Sequence, residues 1–108
     1  MIDPQDAPTA SVPTGVTRAA YFVSDSTGVT AETLGNALLA NFPSIAFDRR
    51  TIPFIDTEAE ALKVVAEIDA AVRLGSEPII FTTVKRAALR EILGSTSATT
   101  IDLLAGHL

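Results

Sequence analysis

The fold of this chain is decided by the stretch AAYFVSDSTGVTAETLGNALLANFP, residues 19–43. Its first five residues are nearly all apolar, which is typical of a strand covered on both faces. A Ser/Thr/Gly loop follows, and apolar residues then recur at helical spacing until Pro43 ends the helix. The apolar positions predicted to face the core from this helix are Ala31, Leu34, Ala37, Leu38 and Phe42. The stretch therefore predicts a strand, a polar loop and an amphipathic helix in succession.

The same alternation continues along the rest of the chain. Further strands are predicted over residues 45–52, 78–82 and 99–104. The segment from Thr57 to Glu60 has the sequence of a capping box, so a second helix is predicted to begin there and to end at Gly75. The predicted apolar stripe of that helix consists of Ala61, Leu62, Val65, Ile68 and Val72. A third helix is predicted over residues 85–93, ended by Gly94.

The order of these elements predicts the fold class. Strands alternating with helices favour an α/β fold with right-handed crossovers: a three-layer, doubly wound, mostly parallel sheet of about four strands, Rossmann-like or flavodoxin-like. Residues 1–17 hold three prolines among small polar residues and are predicted to be a flexible lead-in. Residues 18–108 are predicted to be the N-terminal α/β domain of a longer protein, because the chain stops where a fourth covering helix is expected.

Composition excludes several classes of function. The 108 residues leave room for one domain, and a net charge of −5 argues against nucleic acid as the main partner. The chain has no cysteine, which excludes disulfides, thiolate chemistry and cysteine-ligated zinc. Neither a signal peptide nor a long apolar run is visible, so a cytoplasmic protein without a membrane partner is expected.

The loop after the first strand is the leading candidate for a binding site. In open α/β sheets, ligands bind beyond the carboxyl ends of strands, where free amides and the helix dipole favour an anion. The residues expected to contact an anion or a target protein are Ser24, Asp25, Ser26, Thr27, Gly28 and Thr30. Asp25 opposes phosphate binding, because its carboxylate repels an anion unless a proton or a metal intervenes. The alternative is simple N-capping of the helix, for which Ser, Thr and Asp are preferred.

Two cations form a secondary candidate site. Lys85 and Arg86 are predicted in the first turn of the third helix, where the helix dipole disfavours positive charge. Their position favours contact with an anion or with an acidic protein surface. The alternative is that both side chains are solvated and contribute little energy.

Two short motifs near the loop resemble known phosphate chemistry. Asp25-x-Thr27-Gly28-x-Thr30 is similar to the phosphate loop of flavodoxins, although Asp25 stands where Ser or Thr is expected. Residues 25–29 also resemble the aspartyl nucleophile segment of haloacid-dehalogenase-type phosphotransferases, which needs a lysine and distal carboxylates that hold magnesium. Asp102, near the end of the fourth strand, is the one distal acid in a suitable place, and no metal site is predicted.

A longer run of residues carries a more specific resemblance. Residues 21–35, Phe42-Pro43 and residues 51–55 together closely resemble the N-terminal region of the regulatory proteins of pyruvate,phosphate dikinase and phosphoenolpyruvate synthetase. The resemblance extends through the capping-box helix and the third strand, and it covers roughly residues 18–104.

The resemblance implies a bifunctional serine/threonine kinase and phosphorylase as the parent protein. Such enzymes use ADP to phosphorylate a threonine of the dikinase or synthetase. They also remove this phosphoryl group with inorganic phosphate, which releases pyrophosphate. Their P-loop-like nucleotide site lies in the second half of the chain, beyond residue 108 here, so no catalytic residue and no bound cofactor are expected in these residues. ADP or ATP and phosphate are expected for the parent.

The resemblance also implies the partners. They are the target enzyme, which is the dikinase or the synthetase, and the parent's own C-terminal kinase domain. An incompletely covered sheet offers apolar surface, which favours a homodimer as well. The expected roles of this part are therefore target docking, scaffolding or dimerisation. The competing interpretation is a flavodoxin-like phosphate- or flavin-binding module without catalysis.

Overall fold

The computed structural model describes residues 17–104, and the predicted lead-in up to residue 16 and the last four residues lie outside this range. In chain order the elements are β1 (Thr17–Val23), α1 (Val29–Leu39), β2 (Ala46–Ile52), α2 (Glu58–Arg73), β3 (Ile79–Thr82), α3 (Ala87–Gly94) and β4 (Thr99–Asp102). The predicted alternation of strands and helices is confirmed.

The four strands form one parallel sheet in the order β2-β1-β3-β4. Val23, the last residue of β1, lies opposite Ile52 of β2 and Thr82 of β3. The chain leaves β1 toward β2 on one side, and later leaves β3 toward β4 on the other side. A crevice therefore opens between the carboxyl ends of β1 and β3, at the position where open α/β sheets bind ligands.

Both faces of the sheet are covered, which explains the nearly continuous apolar sequence of β1. Tyr21 and Val23 point to the face that α2 and α3 cover. Ala20 and Phe22 point to the opposite face, which α1 covers. On that face the rings of Phe22 and Phe81 stack with centroids 5.6 Å apart, and both are fully buried. The predicted three-layer, doubly wound α/β fold is confirmed.

Helix α2 begins and ends as its sequence predicts. The Thr57 hydroxyl accepts the Glu60 amide, and the Glu60 carboxylate accepts the amides of Asp56 and Thr57. At the other end Gly75 adopts φ 98° directly after the last turn, a conformation that favours glycine. The predicted core stripe was wrong at Leu62, whose surface is 56% exposed. The residues of α2 that are buried are Ala61, Val64 and Ile68.

The predicted core face of α1 was right at Ala31 but wrong at its other four positions. Its buried residues are Ala31, Gly35 and Leu39, while Leu34 and Leu38 are each 41% exposed. The exposed positions also include Ala37 and, after the helix, Phe42. The reason is steric: a Cβ on Gly35 would collide with the Phe22 ring, so the helix approaches the sheet through its smallest residue. A search for large apolar side chains misses such a contact.

Element boundaries differ from the predictions by one or two residues in several places. Thr17, predicted to be the last residue of the lead-in, pairs with Ala46 as the first residue of β1. Helix α3 begins at Ala87 with Arg86 as its N-cap, so Lys85 and Arg86 do not lie in its first turn as predicted. Gly94 is the last helical residue rather than the residue that follows the helix. Strand β4 ends at Asp102 instead of residue 104.

Candidate functional site

Ser24 starts the loop after β1 and has a structural role. Its side chain is buried, and its Oγ accepts the Ser26 amide at 2.9 Å. The Ser24 amide donates to the Ile52 carbonyl at 3.0 Å, which continues the pairing with β2 beyond the end of the strand. Ser24 therefore fixes the turn that presents the residues after it.

A neighbouring segment holds the same loop from outside. The amides of Phe54 and Ile55 donate to the carbonyls of Ser26 and Ser24, each at 2.9 Å. Phe54 has φ 60°, an unfavourable conformation for a bulky residue, and its side chain is 62% exposed. Strained residues of this kind cluster at functional sites. The exposed ring lies beside the loop.

Gly28 determines how the loop enters α1. It is the N-cap with φ 93°, and a Cβ there would lie 2.6 Å from Thr51 Cγ2. No side chain caps the helix at this position, and the Val29 amide reaches only Thr27 Oγ1, at 3.4 Å. N-capping, the alternative that the sequence left open, therefore accounts for Thr27 but not for Ser24 or Ser26.

Asp25 joins the loop after β1 to the loop after β3. Its Oδ2 accepts the Lys85 amide at 2.9 Å, a contact between residues 60 positions apart. The two predicted sites, the Ser24–Thr30 loop and Lys85, are thus brought together across the crevice. Arg86 does not join them. Its Nη1 donates to the Asp56 carbonyl at 2.6 Å and lies 4.0 Å from the Asp56 carboxylate.

A cleft of about 100 Å³ lies where these loops meet. The residues that line it are Asp25, Ser26, Thr30, Thr83, Lys85 and Leu104. Of the predicted contact residues, Ser24, Thr27 and Gly28 shape the loop but do not line the cleft. The cleft therefore combines hydroxyl groups, one carboxylate and one ammonium group beside the start of α1.

Thr83 is the site residue that sequence reasoning missed. It directly follows β3, its amide donates to the Val23 carbonyl at 3.0 Å, and its residue surface is 7% exposed. Its hydroxyl has no hydrogen-bond partner among residues 17–104. The sequence signal was its place after a buried strand, but recognising it requires knowing that β3 is the neighbour of β1.

Comparison with known proteins identifies the family to which this chain belongs. A family model described as kinase/pyrophosphorylase matches residues 20–108. The chain belongs to the kinase/pyrophosphorylase family. The resemblance predicted from the sequence is thereby confirmed.

Curated relatives of this chain are named putative phosphoenolpyruvate synthase regulatory proteins. The protein of Alkalilimnicola ehrlichii is 50% identical over 86 residues, which are 79% of this chain and 31% of the relative. That of Pseudomonas putida is 48% identical over 92 residues, 84% of this chain and 34% of the relative. The protein of Pseudomonas aeruginosa is 46% identical over 92 residues, which are also 84% of this chain and 34% of the relative. The chain spans about a third of the length of these relatives.

The distal acid, Asp102, is hydrogen-bonded to other residues. Asp102 Oδ2 accepts from Arg90 Nε at 2.8 Å and Nη2 at 2.6 Å, and its Oδ1 accepts the Leu104 amide at 2.9 Å. Within residues 17–104 there is no group of three acidic, histidine or cysteine side chains that could hold a metal ion. The carboxylate pair needed for metal-assisted transfer to Asp25 is therefore not assembled in this part.

Among the helices between residues 17 and 104, none has the length and apolar character that a membrane span requires.

Proposed function

We propose that this chain is the target-docking part of a regulatory enzyme for phosphoenolpyruvate synthase. The observation that carries the proposal is the 46–50% identity to proteins named as regulators of that enzyme. The complete protein would phosphorylate a threonine of the synthase with ADP, and remove that phosphate with inorganic phosphate. Pyruvate,phosphate dikinase is the other target that the resemblance allows.

Phosphoryl transfer is assigned to the rest of the complete protein. The 108 residues hold no Gly-x-x-x-x-Gly-Lys-Ser/Thr segment, so they lack the amide cradle and lysine that such loops use to hold nucleotide phosphates. The cleft of about 100 Å³ is also smaller than the 300 Å³ or more that is usual for sites enclosing a whole ligand. We therefore expect this chain to be inactive alone, and to pack against its own kinase half in the parent.

The surroundings of the cleft support a protein-docking role. Phe54 and Val29 both follow the carboxyl ends of strands, and more than 60% of each is exposed. Exposed aromatic side chains are enriched in protein interfaces and often supply much of their binding energy. A docking surface with Phe54 at its rim and the polar cleft beside it fits a phosphorylatable loop of a partner.

The test measures binding of the purified chain to phosphoenolpyruvate synthase by calorimetry, together with transfer of labelled phosphate from ADP. We expect binding without transfer. Phe54→Ser should weaken binding at least about tenfold, as expected for an interface anchor. Leu74→Ser is the matched control, because Leu74 is 88% exposed but caps the far end of α2. Absence of binding, or equal effects of the two substitutions, would contradict docking through this edge, and transfer would contradict inactivity.

The flavodoxin-like alternative shares the strand order found here. It is disfavoured because the cleft of about 100 Å³ is too small to enclose a flavin nucleotide. Purified protein with no visible absorption after addition of flavin mononucleotide and removal of the unbound excess would exclude this alternative.

A further inference from the structure

The unpaired hydroxyl of Thr83 needs an explanation. A buried hydroxyl without a hydrogen-bond partner costs free energy, and such groups are uncommon in folded proteins. Thr83 is 93% buried and lines the cleft, while no residue from 17 to 104 bonds its hydroxyl. A ligand in the cleft would supply the missing partner.

The start of α1 adds donors at the same place. The first amides of a helix have no partners within the helix, and α1 has no side-chain cap at Gly28. Thr30, in the first turn, lines the cleft together with Ser26. Helix N-termini favour anions through these amides and through the helix dipole. The Lys85 side chain, which forms no ion pair within the described range, adds a positive charge.

Asp25 limits which anion can enter. One of its carboxylate oxygens accepts the Lys85 amide, and a carboxylate can only accept hydrogen bonds. A fully deprotonated anion such as sulfate would place an acceptor against this acceptor. A phosphoryl group that carries a proton can donate to Asp25 while its other oxygens accept from the hydroxyls, the amides and Lys85.

We propose that the cleft binds a protonated phosphoryl group. Asp25 is the acceptor that selects this group over sulfate. The hydrogen-bond donors are Thr83, Thr30, Ser26 and Lys85. Two sources share this chemistry: inorganic phosphate and the phosphothreonine of a target segment. The inference relies on the proposed function only for naming these sources.

The test is an NMR titration of the amides of the cleft residues with inorganic phosphate, sulfate and phosphothreonine at constant ionic strength. Phosphate should bind at least about tenfold more tightly than sulfate, because an acceptor facing an acceptor is unfavourable. Asp25→Asn should abolish this preference, since an amide can both donate and accept. Tighter binding of phosphothreonine than of phosphate would assign the site to the target, and weaker binding would assign it to free phosphate.

Two further variants separate binding from folding. Thr83→Val should weaken phosphate binding about fivefold without lowering the melting temperature, because it removes a hydroxyl that has no protein partner. Lys85→Met should weaken it about tenfold, as loss of a charge-assisted hydrogen bond does. Lys63→Met, on the exposed surface of α2, is the matched control and should change nothing.

The inference is overturned if phosphate and sulfate bind equally to the unmodified chain, if the cleft amides do not respond, or if Thr83→Val and Lys63→Met behave alike. Binding to the synthase is measured separately. A chain that binds the synthase but not phosphate would overturn this inference and leave the docking proposal standing.

Discussion

Gly28 shows how much of the site depends on a single residue. It combines a left-handed backbone with close contact to Thr51, so an added methyl group is both strained and crowded. We expect Gly28→Ala to lower the free energy of unfolding by about 2–3 kcal/mol. Gly75→Ala is the control, because Gly75 has a similar φ but open space around it, and should cost about 1 kcal/mol.

Urea denaturation measures both substitutions. A larger loss for Gly28→Ala than for Gly75→Ala would confirm that Thr51 limits the space at the helix entry. Equal losses would mean that backbone conformation alone determines the requirement for glycine, and that β2 can move aside.

Thr83 and Gly35 show why residue-level prediction failed where it did. The capping box of α2 was predictable because its partners are three residues apart. Thr83 becomes a site residue only because β3 is the neighbour of β1, and Gly35 becomes a core residue only because two phenylalanine rings lie beneath it. Such roles arise from contacts distant in sequence, which periodicity within one segment does not report.

At the scale of elements, Asp69 ties α2 to the segment before β4. Its Oδ1 accepts the Thr96 hydroxyl, and also the Ser97 amide at 3.0 Å. These bonds, the Thr96 hydroxyl first, hold the pKa of Asp69 below its ordinary value of 3.8. The amides of Asp56 and Thr57 lower the pKa of Glu60 from 4.5 in the same way.

Both shifts predict acid sensitivity of α2. A carboxyl group whose pKa is lower in the folded state stabilises the fold above its unfolded pKa, and this stabilisation is lost as pH falls through the folded pKa. The free energy of unfolding should therefore decrease as the pH is lowered from about 5. Asp69→Asn should reduce stability at pH 7 and flatten this decrease.

Glu67→Gln is the matched control on the same helix, since Glu67 has no hydrogen bond or ion pair in the described part of the chain. Urea denaturation at several pH values gives the comparison. A pH profile that Asp69→Asn leaves as steep as that of the unmodified chain would contradict the assigned role of Asp69.

At the scale of the whole molecule, the face covered by α1 has exposed apolar side chains. On one flank of α1, Glu32 accepts a hydrogen bond from Thr51 of β2, and Asn36 accepts one from Arg49 of β2. Leu34 and Leu38 therefore lie on the opposite flank, toward β3 and β4. Ile101 and Leu103, which pack against the core cluster of the same face, are only partly buried. This apolar strip is the physical basis for the predicted homodimer, which stays a prediction.

Sedimentation of the purified chain tests self-association through this strip. We expect a dimer that dissociates on dilution, and Leu34→Glu with Leu38→Glu should give a monomer that remains folded, because both side chains are already 41% exposed. Leu62→Glu, on α2, should leave the dimer intact. A monomer at every concentration, or equal effects of the two sets of substitutions, would contradict the prediction.

The fold class and the placement of the first loop at a strand–helix junction were predictable from sequence, because local patterns determine both. The meeting of that loop with Lys85 and Thr83 depends on strand order, which the sequence only restricted to a doubly wound sheet. The relatives are about three times as long as the matched region, and the residues of their remaining two-thirds have no counterpart in this sequence.

We propose docking of this chain on phosphoenolpyruvate synthase without phosphoryl transfer by the chain itself. The test adds the purified chain to a mixture of the synthase, ADP and the complete Pseudomonas putida relative, for which we propose ADP-dependent phosphorylation of the synthase. The chain should inhibit competitively with respect to the synthase, and Phe54→Ser should inhibit far less than Leu74→Ser. Undiminished phosphorylation at saturating chain, in a reaction where the relative itself is active, would contradict the claim.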